Sequence, residues 1–273
     1  MKMRFRKYCL ISLGLWLFSG IFGCTSPLSS TLKDHGTLVY SGSPEAVLRK
    51  IANRQEDIIT AMANIEVNHA SERYSTKVAI LLKKPSSLRV EAIPVIGPVP
   101  FFLTIQGDVL KAFLPSKGLF YIGKATPENI TNIINFFPAG LTTEDAVSIM
   151  LGTYPGMNEN KLFLKGFEEG RLYRIDMMNG DRKVQSVWVD LSDDHLVKVQ
   201  VFKKGDGISY TARFEEFDKP GPSTIPLKIT IASEEHDHQT VIIRYSGIQP
   251  ATDVEETAFD LQKPPGIVPI HLD

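Results

Sequence analysis

The sequence predicts a mainly β (α+β) fold: a curved, half-open antiparallel β-barrel with an N-terminal helix and two short lid helices. Three observations carry that expectation. Runs alternating apolar and polar residues follow one another closely, separated by Gly, Pro, Asn and Asp clusters, the pattern of hairpin-linked strands. No strand–helix–strand alternation appears, which argues against a doubly wound parallel sheet. A flat sheet this wide would leave apolar faces and long edges in water, so the sheet has to curl.

The elements come in order. Ser43-Pro44-Glu45 is a helix start, with a Ser cap, Pro at the first helical position and an acid near the positive end of the dipole. Leu48, Ile51, Ile58, Ile59 and Met62 then fall close to one stripe, which predicts a helix over about 44–62. From Ile65 the period changes to two. Strands are expected over 73–83, 87–93, 100–106, 109–114 and 119–123. Gly107-Asp108 is a tight hairpin candidate. Thr126-Pro127-Glu128 caps the first lid helix, with Ile130, Ile133, Ile134 and Phe137 behind it. Thr142, with Asp145 three residues on, opens the second, which carries Val147, Met150 and Leu151 and stops at Gly152. Strands resume over 161–165, 171–177, 184–190, 196–203, 208–217, 227–233 and 240–245. The last stretch, 251–273, reads as an extended segment along the body or rim, because Pro264, Pro265 and Pro269 argue against a central strand.

The chain of 273 residues opens with an export signal. Lys2, Arg4, Arg6 and Lys7 precede an apolar run from Leu10 to Phe22, then Gly23 and Cys24. That run is short and broken by Gly14 and Gly20, whereas a spanning helix needs about 20 apolar residues. Residues 1–23 are therefore a leader, 24–42 a Ser/Thr-rich tether and 43–250 the folded domain. Cys24 falls where the apolar run gives way to polar residues, which favours a lipid-bearing first residue of the mature chain. An ordinary cysteine beside a plain signal peptide is the alternative. Cys9 and Cys24 are the only cysteines, so the domain itself has no disulfide or thiol chemistry. Four of the 30 basic residues lie in the leader and none of the 31 acidic ones, so the remainder holds 26 against 31, a net charge of −5. With no basic block, nothing points to nucleic acid or to anionic headgroups. Membrane attachment would come from acyl chains on Cys24.

No enzyme motif is present: no nucleophile elbow, phosphate loop, HExxH or CxxC. His236-Asp237-His238 places two imidazoles at i and i+2, which a strand would aim to one face. The segment lies in a hairpin loop with no third partner evident, so solvated residues are the better reading and no metal or cofactor is expected. His69 and His195 stand alone, and the pairs Asp193-Asp194 and Glu215-Glu216 diverge on a turn or strand, which favours structural or solvated roles. The unusual feature is 92–103, AIPVIGPVPFFL, apolar and uncharged between two strands. Turns are normally polar. Pro94-Val95-Ile96-Gly97 is therefore either exposed for a lipid or membrane partner or packed beneath the helices as a bulged crossing.

These segments resemble the LolA/LolB lipoprotein-carrier superfamily, and more closely its LolB-like outer-membrane lipoproteins. Ile21-Phe22-Gly23-Cys24 is similar to a lipobox. The strand before Pro94-Val95-Ile96-Gly97 and the strand from Phe101 match the order of strand, Pro-Leu-Gly type loop and strand. Phe120-Tyr121, the helix from Thr126, the 150–156 segment Met-Leu-Gly-Thr-Tyr-Pro-Gly and the closing Pro264-Pro265-Gly266 continue the likeness over roughly 44–250 and beyond. The resemblance implies a half-barrel around an apolar cavity, closed by helices and filled by acyl chains of lipoproteins handed over by a periplasmic carrier. By position, Val95 or Ile96 would be the residue that enters the membrane. Thr25 after Cys24 favours residence at the outer membrane, facing the periplasm, and the chain is expected to act as a monomer. A lipid-anchored assembly protein with a filled barrel is the other reading.

Overall fold

The structure is a computed structural model and describes residues 37–38, 43–52, 56–69, 72–94, 96–134, 141–156, 162–205, 207–217, 225–233 and 239–273. Cys9, Cys24, Val95, Phe137 and the segment His236-Asp237-His238 lie outside the described residues.

Two meanders build one open sheet. The first runs β2 (Ile58–His69), β3 (Glu72–Lys83), β4 (Ser87–Ile93), β5 (Phe102–Gln106), β6 (Val109–Leu114) and β7 (Leu119–Lys124). The second runs β8 (Phe163–Glu169), β9 (Leu172–Asn179), β10 (Arg182–Asp190), β11 (His195–Phe202), β12 (Ile208–Phe217), β13 (Pro226–Ser233) and β14 (Thr240–Pro250). The long β14 pairs with β2, Val241 opposite Val67 and Ile243 opposite Ile65, and this ladder fuses the two halves. At the edges, β1 (Thr37–Leu38) lies on β8 and β15 (Pro269–Leu272) lies on β7. The sheet stays open, as expected for a half-barrel. On β2 the alternate residues Ile59, Ala61, Ala63, Ile65 and Val67 are buried on the concave face, while Thr60 and Met62 face outward.

The expected helix over 44–62 is corrected. Helix α1 is Pro44–Ala52, and Ile58, Ile59 and Met62 belong to β2, with Ile59 opposite Leu82. The period-two pattern begins at Ile59, but Ala61 and Ala63 contribute too little apolar contrast to reveal it. Leu48 and Ile51 of α1 are buried in the core. The Gly107-Asp108 turn joins β5 to β6 with Gln106 opposite Val109, and Gly107 takes the positive φ (61°) that such a turn requires.

Because β7 and β8 lie near opposite edges, the chain between them has to cross the open side of the sheet. The crossing carries α2 (Pro127–Ile133) and α3 (Thr143–Met150), each capped by a threonine hydroxyl: Thr126 accepts from Asn129 N and Thr142 from Asp145 N. Ile130, Ile134, Leu141, Val147, Ile149, Met150 and Leu151 join the same continuous core as the strands. The Tyr245 hydroxyl donates to the Met150 carbonyl at 2.9 Å and ties the end of α3 to β14. After β14 the chain straps the convex face. Arg89 Nη1 donates to the Ala258 carbonyl at 2.8 Å, Lys111 pairs with Asp260, and Phe259 and Leu261 are buried. The strap ends as β15, parallel to β7, an edge position that tolerates Pro269.

Candidate functional site: an apolar cavity beneath the crossover

A cavity of about 560 Å³ opens between the sheet and α2. Its wall is concave-face residues from two paired strands. Ile65 and Val67 of β2 stand opposite Thr76 and Tyr74 of β3. Pro100 and Phe101, at the end of the β4–β5 connection, form a second side, and Ile133, the last residue of α2, with Ile134, its C-cap, closes the third. Lys117 and Asn132 are among its polar lining residues. A smaller groove of about 390 Å³ lies on the convex face along Thr60, Met62, Leu81, Arg89 and Gln249.

Of the expected lid residues, Ile133 and Ile134 meet at this cavity, while Ile130, Val147, Met150 and Leu151 are packed in the core and do not line it. Helix α3 lies within the bowl more as a filler than as a flap. The apolar connection is exposed at its tip: Ile96 is 94% accessible, and Gly97 beside it has φ 89°. Pro94 is half-buried and Gly97 exposed. The tip is continuous with the cavity wall, since Pro100 and Phe101 follow it directly and the Phe101 carbonyl accepts from Ala92 N at 3.1 Å.

Of the other residues singled out above, Asp194, Glu215, Glu216 and His195 have ordinary partners. Asp194 pairs with Lys50 at 2.7 Å, Glu215 with Lys228 at 2.9 Å and Glu216 with Arg244 at 3.5 Å. His195 stacks on Phe217 with ring centroids 4.1 Å apart. Among the described residues no group of three His, Cys, Asp or Glu is placed to hold a metal. Strand register also assembles a network invisible in the sequence. Buried Arg174 pairs with Asp176 at 3.2 Å and with Glu169, and its guanidinium lies 4.5 Å from the Phe167 ring centre. Ser186 donates to Asp176 at 2.7 Å and Trp188 Nε1 to Glu169 at 2.8 Å. Every member has a partner, so the network reads as structural.

Where α3 begins, Asp145 faces Tyr210 of β12. Burial raises the Asp145 carboxyl above its ordinary pKa, against hydrogen bonding at Thr142 that lowers it. Burial, then the Asp145 charge, pushes the Tyr210 phenol well above its own. A carboxyl raised on folding contributes stability that is fully present below its unfolded pKa and lost as pH rises through the folded value. Asp145→Asn removes that loss. Its Tm therefore exceeds wild type at about pH 7, and the gap shrinks towards pH 4; a gap independent of pH in thermal melts would refute the assignment.

The site is thus an open antiparallel half-barrel, crossed by helices over a cavity, with an exposed isoleucine on the adjoining loop. This fold is similar to that of solved structures from the LolA superfamily. A LolA superfamily protein from Nitrosomonas europaea superposes with a TM-score of 0.56 at 14% identity, over 81% of this chain and 99% of that one. A domain assigned to the outer membrane lipoprotein-sorting proteins, from Vibrio parahaemolyticus, gives 0.54 at 14% identity over 79% and 95%. A DUF1329 family protein from Desulfovibrio piger gives 0.56 at 11% identity over 79% and 95%. The amino-acid sequence matches no family model and no curated protein.

Proposed function

We propose that this protein binds acyl chains of lipoproteins or lipids in the 560 Å³ cavity and passes them to a membrane through the 94–100 loop. The observation that carries this is the continuity of an apolar cavity with the exposed Ile96. Each methylene moved from water to the cavity contributes about 0.8 kcal/mol, so ten of them contribute on the order of 8 kcal/mol. Release then needs a second apolar phase at the mouth, which a loop dipping into the bilayer provides. Attachment through lipid on Cys24, placement at the outer membrane, a role closer to LolB than to the soluble carrier, and receipt of cargo from a periplasmic carrier belong to the same reading.

The packing of Leu141, Val147, Ile149 and Leu151 inside the bowl favours a second reading, a filled barrel that works through protein contacts. Organic extracts of the purified protein, examined by mass spectrometry, and titration with a fluorescent fatty-acyl probe separate the two. The carrier reading expects co-purified or displaceable acyl lipid. It also expects Ile133→Trp, which fills the cavity, to weaken probe binding by at least about tenfold. A clean extract with no probe binding would put the filled barrel first.

A further inference from the structure

The acyl-binding reading leaves open what the acyl chain carries at its end, and the mouth of the cavity bears on this. Ile65, Val67, Phe101, Ile133 and Ile134 form apolar walls, and Lys117 is the one charged residue among the described lining residues. Lys117 ends the single 3-10 turn Pro115–Lys117 between β6 and β7, where Gly118 takes a positive φ of 63°. Strands β4 to β7 alternate in direction, so this turn lies at the same end of the sheet as the loop that carries Ile96. Lys117 is itself exposed. A cation thus stands where the apolar cavity meets water.

The hydroxyls of the lining are already engaged. Tyr74 donates to Glu72 at 2.5 Å, Ser75 to Asn64 Oδ1 at 3.2 Å and Thr76 to the Lys77 carbonyl at 3.3 Å. Glu72 belongs to the tip of the β2–β3 hairpin and does not line the cavity. Lys117 forms no ion pair among the described residues. By contrast, Lys84 pairs with Asp57 at 3.1 Å, Lys228 with Glu215 at 2.9 Å and Lys111 with Asp260. The chain beyond the leader has a net charge of −5, so Lys117 is a local exception and not part of a basic surface. An ammonium without a counter-ion beside apolar walls attracts an anion more strongly than it would in open water, because less solvent screens the pair.

We propose that the cavity takes a single-chain amphiphile that ends in an anion, a carboxylate or a phosphate, with Lys117 Nζ donating to the charged head. This inference rests on the acyl-binding reading. A volume of about 560 Å³ is that of a site for one small ligand, which suits one acyl chain and not a cluster of chains. The lysine stem lies along apolar surface while its ammonium, with three donors, meets the head at the water boundary. The anion is therefore never carried into the apolar interior, where its desolvation would be costly. Only the chain enters, against Ile65, Val67, Phe101 and Ile133. Asn132, which also lines the cavity, offers the head an amide donor.

The test uses the purified protein with diphenylhexatriene as a hydrocarbon probe and competitors that share one chain: dodecanoate, dodecyl phosphate, dodecanol and dodecylammonium. From wild type at low salt, at least one of the two anions is expected to displace the probe about tenfold more effectively than dodecanol, the size of one hydrogen bond to a charged group. Dodecylammonium is expected to do no better than dodecanol, and one dodecyl chain is expected to bind per protein. The anion preference, read on each protein as the ratio to dodecanol, is expected to vanish in Lys117→Met and to persist in Lys117→Arg. Because Lys117 is exposed, both variants fold. A stronger response to the carboxylate identifies a fatty-acid type of ligand and a stronger response to the phosphate a lysophospholipid type, and either supports the inference. Equal displacement by anions and dodecanol from wild type, an anion preference that survives Lys117→Met, or two chains bound per protein overturns it while the cavity reading stands. Failure of wild type to bind the probe and dodecanol removes the cavity reading and this inference with it.

Discussion

Ile96→Glu is expected to slow delivery of acylated cargo to lipid vesicles by at least about tenfold while leaving acyl-probe binding and Tm unchanged. Ile96 is 94% accessible, so it contributes little to the folded core, and surface changes of this kind stay within about 0.5 kcal/mol. In a bilayer the balance differs. Burying an isoleucine side chain contributes roughly 1.5–3 kcal/mol, and a glutamate at the same depth forfeits that and adds the cost of desolvating its charge. The loop provides no offset, since the whole 92–103 segment is uncharged. Transfer of a fluorescent acylated peptide to vesicles, measured beside probe binding, checks this. Unchanged transfer means that the loop does not insert, and equal loss of both activities means that the substitution has damaged the cavity.

Gly123→Val is expected to detach the C-terminal strap and to cost about 2–3 kcal/mol, a lowering of Tm on the order of 4–12 °C. A Cβ at Gly123 would lie 2.4 Å from the Leu272 carbonyl oxygen and 2.6 Å from the Leu272 Cβ, and the first of these is backbone that has no room to give. Without a close approach at Gly123, β15 cannot pair with β7. The loss spreads to the cavity. Asn129 of α2 donates to the carbonyls of both Lys124 and Asp273, at 3.0 and 3.1 Å, so the strap braces the helix that carries Ile133 and Ile134. Rapid proteolysis within 251–273, together with weaker probe binding, is the accompanying signature. A variant that melts like wild type and resists protease would show that β15 adds nothing to the fold.

The two halves of the sheet were legible to different degrees. Strands β4, β6 and β12 match the expected ranges because turn residues bound each of them on both sides. The caps at Thr126 and Thr142 were legible for the same local reason, a hydroxyl followed three residues on by the amide that it accepts from. The junction of α1 and β2 was misread, because Ile58, Ile59 and Met62 fit a helical stripe as well as a strand while the alanines between them hide the alternation. The exposure of Ile96 could not be decided from its own neighbourhood, since an apolar turn reads the same whether it is covered or bare.

The sequence by itself determined the class of fold, the order of its elements, the crossover helices and the one uncharged loop, because each of these depends on residues within a few positions of one another. Only the tertiary structure decided that Ile133 and Ile134 line a cavity while Val147 and Leu151 are sealed in the core, since that depends on where the crossover lands on the sheet. It also decided that Gln185 and Tyr210 fall in one row across the sheet, each opposite Val201. Pairing between strands sets their alignment, and a shift of one residue would turn each strand's side chains to the opposite face.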